Sequence, residues 1–381
     1  MDNNFNENQT KEQTEAQMGA LTGEQMVSPG RVKKGGLGMK LYALFVTLLA
    51  GVAIIAAMYL YSDNEKSKKK QTENEQANAT VENESKEPNE SDEESGESKE
   101  VDEAAAIKST IRDYMENGKG TMAMLRELFP ENVVVFDSNK YIFLDINEKL
   151  KKNTIENENI KQLENGELVY EENGNQISHK GIDVSKFQGT IDWSKVAESG
   201  VEFAIIRVGY RGYGTGAIVQ DETAIQNIEG ALNADIKVGV YFFSQAITVE
   251  EAVEEAEFVL NIIKKYDITY PVVFDTEEIL NEDTRAESLS KEERTELAIA
   301  FCERVKKDGY TPAIYANLRW FTMSLDMEKL ESYDKWYAYY DSSIYFPYRI
   351  SMWQYTESGQ IDGITGTVDM NISFKDWETE E

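Results

Sequence analysis

Four carboxylates in the second half of the sequence lie within or just after a short apolar run: Asp183, Asp275, Glu277 and Asp369. Asp275 and Glu277 lie two positions apart, so their side chains point the same way on an extended chain. Two carboxyl groups held together cannot both ionise cheaply, so the pKa of one must rise, and this makes a general acid at neutral pH. We therefore predict these four residues as catalytic, in acid–base chemistry of the kind that protonates a glycosidic oxygen.

The single histidine, His179, and the single cysteine, Cys302, exclude most other chemistries. One cysteine cannot form an intrachain disulfide or a cysteine-cluster metal site, and one histidine cannot build a zinc site of several histidines. A Ser–His–Asp or Cys–His mechanism would depend on His179 alone. We interpret His179 as a linker or barrel-rim residue and Cys302, within a helical apolar pattern, as core. We expect no metal and no cofactor, so carboxylates must carry any catalysis, although each alone could be an ordinary solvated acid.

Beyond residue 180, short apolar runs alternate with amphipathic helical stretches. The runs lie at 181–184, 203–210, 238–243, 271–274, 313–315, 336–340, 350–355 and 367–370. The helical stretches lie at 193–198, 223–233, 249–266 and 291–307, and they shrink or vanish after the fifth run. This alternation predicts a parallel sheet covered by helices, and eight runs predict a closed, irregular TIM-like α/β barrel. The four carboxylates fall at C-terminal strand ends, where such barrels place their chemistry.

Aromatic residues cluster at the same strand ends: Tyr210, Tyr241, Phe243, Trp353 and Tyr355. Their flat faces can stack on sugar rings, so we predict them as substrate-binding residues. The alternative for each of them is packing in the core or at the rim of the barrel.

The first 100 residues differ in composition from the barrel sequence. Residues 1–38 are polar and lack a hydrophobic period, which predicts a disordered cytoplasmic tail. Within 39–62, residues 41–61 are 21 uncharged and mostly apolar positions, enough to span a hydrocarbon core of about 30 Å. We predict a transmembrane anchor there, with a cleaved signal peptide as the alternative. Residues 63–100 are rich in Glu, Asn, Ser and Lys and predict a flexible acidic linker.

Ordered patterns return in residues 101–178, which predict a small α+β module of unknown role. Asp102 is a candidate helix cap and Gly118 a candidate helix stop. Strand signals lie at 133–136, 141–146 and 168–170, with turn signals at 137–140 and 173–174. We expect this module to act as a spacer that packs on the barrel.

Eight segments of the second half, taken in order, resemble the family 25 glycoside hydrolases, which are lysozymes also called N-acetylmuramidases. They are 181–185 (GIDVS), 188–189 (QG), 191–193 (IDW), 203–207 (FAIIR), 239–243 (GVYFF), 271–277 (PVVFDTE), 353–355 (WQY) and 368–371 (VDMN). The resemblance covers nearly all of 180–377 and none of 1–178. One departure is Phe242, which stands where many members have histidine.

The resemblance implies a (β/α)5(β)3 barrel that hydrolyses the β-1,4 bond between N-acetylmuramic acid and N-acetylglucosamine. It assigns Glu277 as the general acid and Asp275 as the residue that orients or stabilises the substrate's 2-acetamido group. Asp183 and Asp369 would be supporting carboxylates. Whether the intermediate is a covalent enzyme ester or forms through the acetamido group stays open.

Two other functions compete with this expectation. A catalytically inactive barrel would serve as a wall-binding or scaffold module, but the presence of all four carboxylates argues against it. A chitinase would usually carry a longer run of alternating aspartates before its catalytic glutamate, and residues 272–277 lack that run.

The expected partners are peptidoglycan glycan strands and, through residues 39–62, the membrane. The net charge of −31 argues against a nucleic-acid partner, which would need a basic face. No sequence pattern indicates a protein partner. We expect a single-pass protein of the bacterial cell membrane, with an extracellular catalytic domain at 179–381 that remodels or lyses the cell wall.

Overall fold

The computed structural model describes residues 97–118, 120–279 and 283–377. The predicted tail, transmembrane anchor and most of the predicted linker therefore lie outside the described residues. Within the described ranges, no helix combines the length and the apolar character needed to cross a membrane.

The described chain begins with two helices and five short strands. They are α1 (Glu97–Glu116), α2 (Thr121–Leu128), β1 (Asn132–Asp137), β2 (Lys140–Asp145), β3 (Ile160–Gln162), β4 (Leu168–Glu172) and β5 (Asn175–Gln176). The prediction that Asp102 caps the first helix is wrong, since no Gly or Pro interrupts 97–101 and the helix already begins at Glu97. The predicted stop is confirmed, because Gly118 follows the helix with φ +65°.

Strands β1 and β2 form the predicted hairpin. Ser138 and Asn139 take φ angles of 48° and 60°, the left-handed geometry of a tight two-residue turn that suits the twist of the flanking strands. Asn173, at φ 52°, and Gly174 make the predicted turn between β4 and β5 in the same way.

The predicted eight-stranded barrel is confirmed, and β6 pairs with β7 to close it. The strands of this half are β6 (His179–Val184), β7 (Phe203–Arg211), β8 (Ile218–Gln220), β9 (Lys237–Phe243), β10 (Val272–Asp275), β11 (Pro312–Asn317), β12 (Asp334–Ala338), β13 (Met352–Gly359) and β14 (Val368–Ser373). Around the barrel the order is β6, β7, β9, β10, β11, β12, β13, β14, and β8 forms a hairpin with β7.

Four helices follow the first four barrel strands, as predicted: α3 (Trp193–Glu198), α4 (Ala224–Asn233), α5 (Val249–Ile263) and α6 (Lys291–Lys307). The start of α6 is fixed by a capping box, in which the Ser290 hydroxyl accepts from the Glu293 N–H and the Glu293 carboxylate accepts from the Ser290 N–H. The connection after β11 holds a single π-helical turn, Trp320–Ser324.

The last strand departs from the all-parallel arrangement that the sequence predicts. β14 runs antiparallel to both of its neighbours, β13 and β6. Only residues 360–367 connect β13 to β14, and a parallel return would need a crossover of a dozen or more residues.

The barrel core has two layers. Inside the barrel, a cluster that includes Phe203, Tyr315 and Trp336 fills the space between the strands. Outside it, the strands pack on the helices, and this layer also contains Val133 and Leu168 from the segment before the barrel. The described residues from Ser109 onward accordingly belong to one compact unit. Cys302 is fully buried in the outer layer, as predicted.

Candidate active site

The barrel brings the four predicted carboxylates to one end. Asp183 lies near the end of β6, and Asp369 on β14 is its direct cross-strand partner. Asp275 is the last residue of β10, and Glu277 follows two positions later. Since the seven parallel strands all end at the same rim, Asp183, Asp275 and Glu277 converge at the C-terminal mouth of the barrel. The prediction that Asp369 ends its strand is wrong, because it lies at the N-terminal end of the antiparallel β14, which brings it to the same mouth.

Two buried amides hold the Asp183 carboxylate. Gln354 Nε2 and Asn371 Nδ2 each donate to Asp183 Oδ2 at 2.8 Å. The amide orientations follow from their other contacts, because Asn371 Oδ1 accepts from Trp336 Nε1 at 2.7 Å and Gln354 Oε1 accepts from the Tyr315 hydroxyl at 2.8 Å. Both amide nitrogens are therefore directed at Asp183, which they stabilise in its ionised form.

Asp369 shares a hydrogen bond with Asp183. Burial raises the pKa of Asp183, but the two amides and Asp369 oppose that rise. The pKa of Asp369 lies well above its ordinary value because of burial and the negative charge of Asp183. The proton of this pair consequently resides on Asp369, which donates to the Asp183 carboxylate.

Asp275 and Glu277 form a second coupled pair. Burial raises the pKa of Glu277 to about 8, with the charge of Asp183 adding to the effect and the hydrogen bond from Asp275 opposing it. The pKa of Asp275 also lies well above its ordinary value, through burial first and then through the charges of Glu277 and Asp183. From the sequence, the pKa rise is expected from the proximity of the two acids. In the structure, burial is the larger cause of the raised pKa of both Asp275 and Glu277.

One oxygen of this pair is free for a ligand. Asp275 is 3% exposed, and its Oδ1 has no hydrogen-bond partner among the described residues. A buried carboxylate oxygen without a donor is costly in the empty site. It can accept an N–H or O–H from a bound sugar.

A cation lies beside the acids. Arg207 on β7 donates through Nε to Asp221 Oδ2 at 2.8 Å, and its guanidinium lies 5.0 Å from the centre of the Phe187 ring. Asp221 is fully buried. The positive charge of Arg207 lowers the pKa of Asp275 and of Tyr241, so it reaches the site electrostatically.

Three of the five predicted aromatic residues lie at the mouth. Tyr241 and Phe243 share the inward face of β9. Burial, and then the negative charges of the acids, raise the pKa of the Tyr241 hydroxyl well above its ordinary value. Tyr210 lies on β7 with Arg207 5.6 Å from its ring centre. Phe242, the departure from the family pattern, is fully buried on the outer face against Phe258 and does not face the acids.

The assignment of Trp353 and Tyr355 as substrate-binding residues is wrong. Trp353 is fully buried in the outer layer and donates through Nε1 to the Tyr339 carbonyl at 2.7 Å. Tyr355 is 5% exposed and lies in the same layer. Side chains alternate along β13, so Gln354 between them is the residue that points into the barrel.

Sequence reasoning missed several residues that shape the site. Gln354 and Asn371 lie within the segments that carry the family resemblance, and the period-two alternation through Asp369 would have placed Asn371 on the same face. Glu357 gave no sequence signal. Its Oε2 is buried without a hydrogen-bond partner in the described part of the chain, and its charge raises the pKa of Asp369.

No group of His, Cys, Asp or Glu side chains within the described ranges has a geometry that would hold a metal ion. The site is instead a set of buried carboxyl groups with amide, phenol and guanidinium neighbours. Such a set can donate a proton, stabilise a developing positive charge and accept hydrogen bonds from a ligand.

Comparisons with known proteins agree with this geometry. A family model described as glycosyl hydrolases family 25 matches residues 182–364. The autolytic lysozyme of Clostridium acetobutylicum is 26% identical over 193 residues, which cover 50% of this chain and 55% of that protein. Lysozyme M1 of Streptomyces globisporus is 28% identical over 203 residues, which cover 50% of this chain and 66% of that protein.

Two solved structures are also similar to this chain. The modular autolysin LytC of Streptococcus pneumoniae has a TM-score of 0.47 at 24% identity, covering 64% of this chain and 56% of that one. A family 25 glycosyl hydrolase of Bacillus anthracis has a TM-score of 0.44 at 24% identity, covering 52% and 89%. The family match begins in β6 and ends before β14, so it includes Asp183, Asp275 and Glu277 but not Asp369, and residues 182–364 of this chain match glycosyl hydrolases family 25.

Proposed function

We propose that this chain is a peptidoglycan hydrolase that cleaves the β-1,4 bond between N-acetylmuramic acid and N-acetylglucosamine. The observation that carries the proposal is the coupled Asp275–Glu277 pair at the mouth of a family 25 barrel, where the pKa of Glu277 is about 8. A carboxyl group with that pKa is mostly protonated at neutral pH, as a general acid must be. The match to two proteins named lysozymes supports the substrate class.

Each acid then has a role set by its surroundings. Glu277 gives its proton to the glycosidic oxygen as the bond to the sugar breaks. Asp183, held as a carboxylate by Gln354 and Asn371, stabilises the positive charge that develops on the sugar ring. The unpaired Oδ1 of Asp275 suits the N–H of a 2-acetamido group, which Asp275 would orient. Water supplies the hydroxyl group of the new reducing end, and its other proton returns to Glu277.

The cellular setting that we propose rests on the sequence. Residues 41–61 are 21 uncharged positions of the length a bilayer needs, and residues 63–100 would tether the catalytic part. The proposed enzyme is a single-pass protein of the cell membrane, with its barrel outside, that remodels or lyses the wall. Protease treatment of intact cells tests this, because a barrel that is degraded only after the membrane is broken would lie on the inner side.

Mass spectrometry of the products tests the chemistry. The full chain is incubated with purified peptidoglycan, and the released fragments are reduced and identified, with Glu277→Gln as the matched control. We expect muramic acid at the new reducing ends and no release by the variant. Glucosamine at the reducing ends would contradict the bond assignment, and wall binding without any release would indicate an inactive wall-binding barrel.

A further inference from the structure

The β1–β2 hairpin presents an aromatic surface to solvent. Phe136 is 50% exposed, Tyr141 42% and Phe143 41%, and the rings of Phe136 and Tyr141 are 5.0 Å apart. We call these three residues, together with Phe129, the hairpin aromatic face. It lies opposite the strand face whose Val133 and Val135 are buried in the core. On the aromatic side, Val134 is fully buried and is the cross-strand partner of Phe143, whereas Phe136 and Tyr141, nearer the turn, stay exposed. A solvent-exposed aromatic pair of this kind marks a binding surface.

The tip of this hairpin is joined to the mouth of the barrel. Arg319, which follows β11 at the mouth, donates through Nε to Asp137 Oδ1 at 2.5 Å. The same guanidinium donates through Nη1 to Glu278 Oε2 at 2.9 Å. Glu278 is the neighbour of Glu277. One arginine thus connects the hairpin residue next to Phe136 with the segment that carries the proposed general acid.

A second set of contacts fixes the hairpin on the same side. Arg126 on α2 donates to the Tyr339 hydroxyl at 2.6 Å and lies 3.7 Å from the centre of the Tyr345 ring. The Tyr345 hydroxyl accepts from the Val134 N–H at 2.9 Å. Tyr339 follows the C-terminal end of β12, so these contacts hold α2 and β1 against the rim. The aromatic face is positioned before any ligand arrives, which lowers the entropy cost of binding.

We propose that the hairpin aromatic face is a glycan-binding subsite outside the barrel, which holds the peptidoglycan strand where it continues beyond the cleaved bond. This inference rests on the proposed function, since a polymeric substrate must leave the mouth across one rim. Flat rings next to that rim can stack on sugar rings. Asp137 and Asp145 flank the face, and the chain carries a net charge of −31, which disfavours an anionic bilayer as its occupant.

The test separates polymer binding from catalysis. The double variant Phe136→Ala/Tyr141→Ala is made in the full chain, with Ile177→Ala as the matched control. Ile177 is 44% exposed and precedes β6, at the end of the barrel opposite to the mouth. Binding to insoluble peptidoglycan is measured by co-sedimentation in a Glu277→Gln background. Turnover is measured with intact Glu277 on polymer and on a soluble tetrasaccharide.

We expect the double variant to bind polymer about tenfold more weakly, equivalent to about 1.4 kcal/mol, with tetrasaccharide turnover within twofold of the unaltered chain. Phe136→Leu/Tyr141→Leu should show the same loss, because leucine keeps apolar area but removes the flat ring. Unchanged polymer binding would overturn the subsite. An equal loss of turnover on polymer and on tetrasaccharide would also overturn the subsite. So would a double variant that keeps glycan binding but loses self-association or binding to anionic vesicles. If binding weakens as expected while no chain releases fragments, the subsite stands and the catalytic proposal fails.

Discussion

Replacing Glu277 by glutamine should stabilise the folded chain at alkaline pH while it removes the catalytic proton. Burial raises the pKa of Glu277 from 4.5 to about 8, so the folded state holds a proton that the unfolded chain releases. Below pH 4.5 both states are protonated and Glu277 does not lower stability. Stability is lost as the pH rises from 4.5 to 8, because the unfolded state ionises first. Glutamine does not ionise, so its variant escapes this loss.

The size of the effect follows from the same change. A rise in the pKa of Glu277 from 4.5 to about 8 corresponds to at most about 5 kcal/mol of unfolding free energy at pH 9, at 1.36 kcal/mol per pH unit. Glu277 is partly exposed at the mouth, and solvent screening reduces this figure. We expect Glu277→Gln to be more stable than the unaltered chain by roughly 2–3 kcal/mol at pH 9 and equally stable at pH 4. Its turnover should fall roughly 10²- to 10⁴-fold.

Urea unfolding followed by tryptophan fluorescence at pH 4, 7 and 9 measures the stability difference, and turbidity of a wall suspension measures turnover. Glu296→Gln, on the exposed side of α6, is the matched control and should keep the pH dependence of the unaltered chain. Equal pH dependence for Glu277→Gln and the unaltered chain would refute the raised pKa of Glu277. Turnover within a few-fold of the unaltered chain would show that another group is the acid.

Three further predictions concern the residues around the acid. Asp275→Ala removes a hydrogen-bond donor that lowers the pKa of Glu277, so the basic limb of the pH–rate profile should move to higher pH. Asp275→Asn keeps a donor and should not move that limb upward. Identical basic limbs for the two variants would contradict the shared hydrogen bond. Asn371→Ala removes one donor to Asp183, so kcat should fall roughly 10- to 100-fold and the acidic limb should move up, which a pH–rate profile measures. Trp353→Ala should cost about 3–5 kcal/mol of stability, measured by urea unfolding, and should leave the pH–rate profile of the folded enzyme unchanged. A shifted pH–rate profile would show that Trp353 contributes to the active site.

Much of the barrel could be predicted because its signals are local. Residues 193–198 and 291–307 have a helical apolar period and caps within a few positions, and both helices form at those bounds. The convergence of Asp183, Asp275 and Glu277 follows from parallel topology alone, since the C-terminal ends of such strands meet at one rim. Asp369 reaches the same rim from the N-terminal end of the antiparallel β14, which the sequence does not predict. Neither inference requires knowledge of which distant residues touch.

The wrong and missing predictions concern features that depend on contacts between distant parts of the chain. Trp353 and Gln354 are neighbours on one strand, and only the register of β13 decides which of them faces the barrel interior. The contact between Asp137 and Arg319 joins residues that are 182 positions apart, and no local pattern marks it. The direction of β14 depends on the length of the loop before it, and the alternation of strands and helices does not predict that direction.

The site also shows how an acid stays protonated beside an arginine. A free guanidinium next to Asp275 would lower the pKa of that carboxyl and draw the shared proton away from the pair. Arg207 instead donates through Nε to Asp221 Oδ2 at 2.8 Å and forms an ion pair with it, and Asp221 also accepts from the Lys186 N–H and the Thr223 hydroxyl. The charge of Arg207 still lowers the pKa of Asp275, but burial is the larger influence on that carboxyl. Burial therefore decides the protonation of the acids, and the proton needed for glycosidic cleavage remains in place at neutral pH.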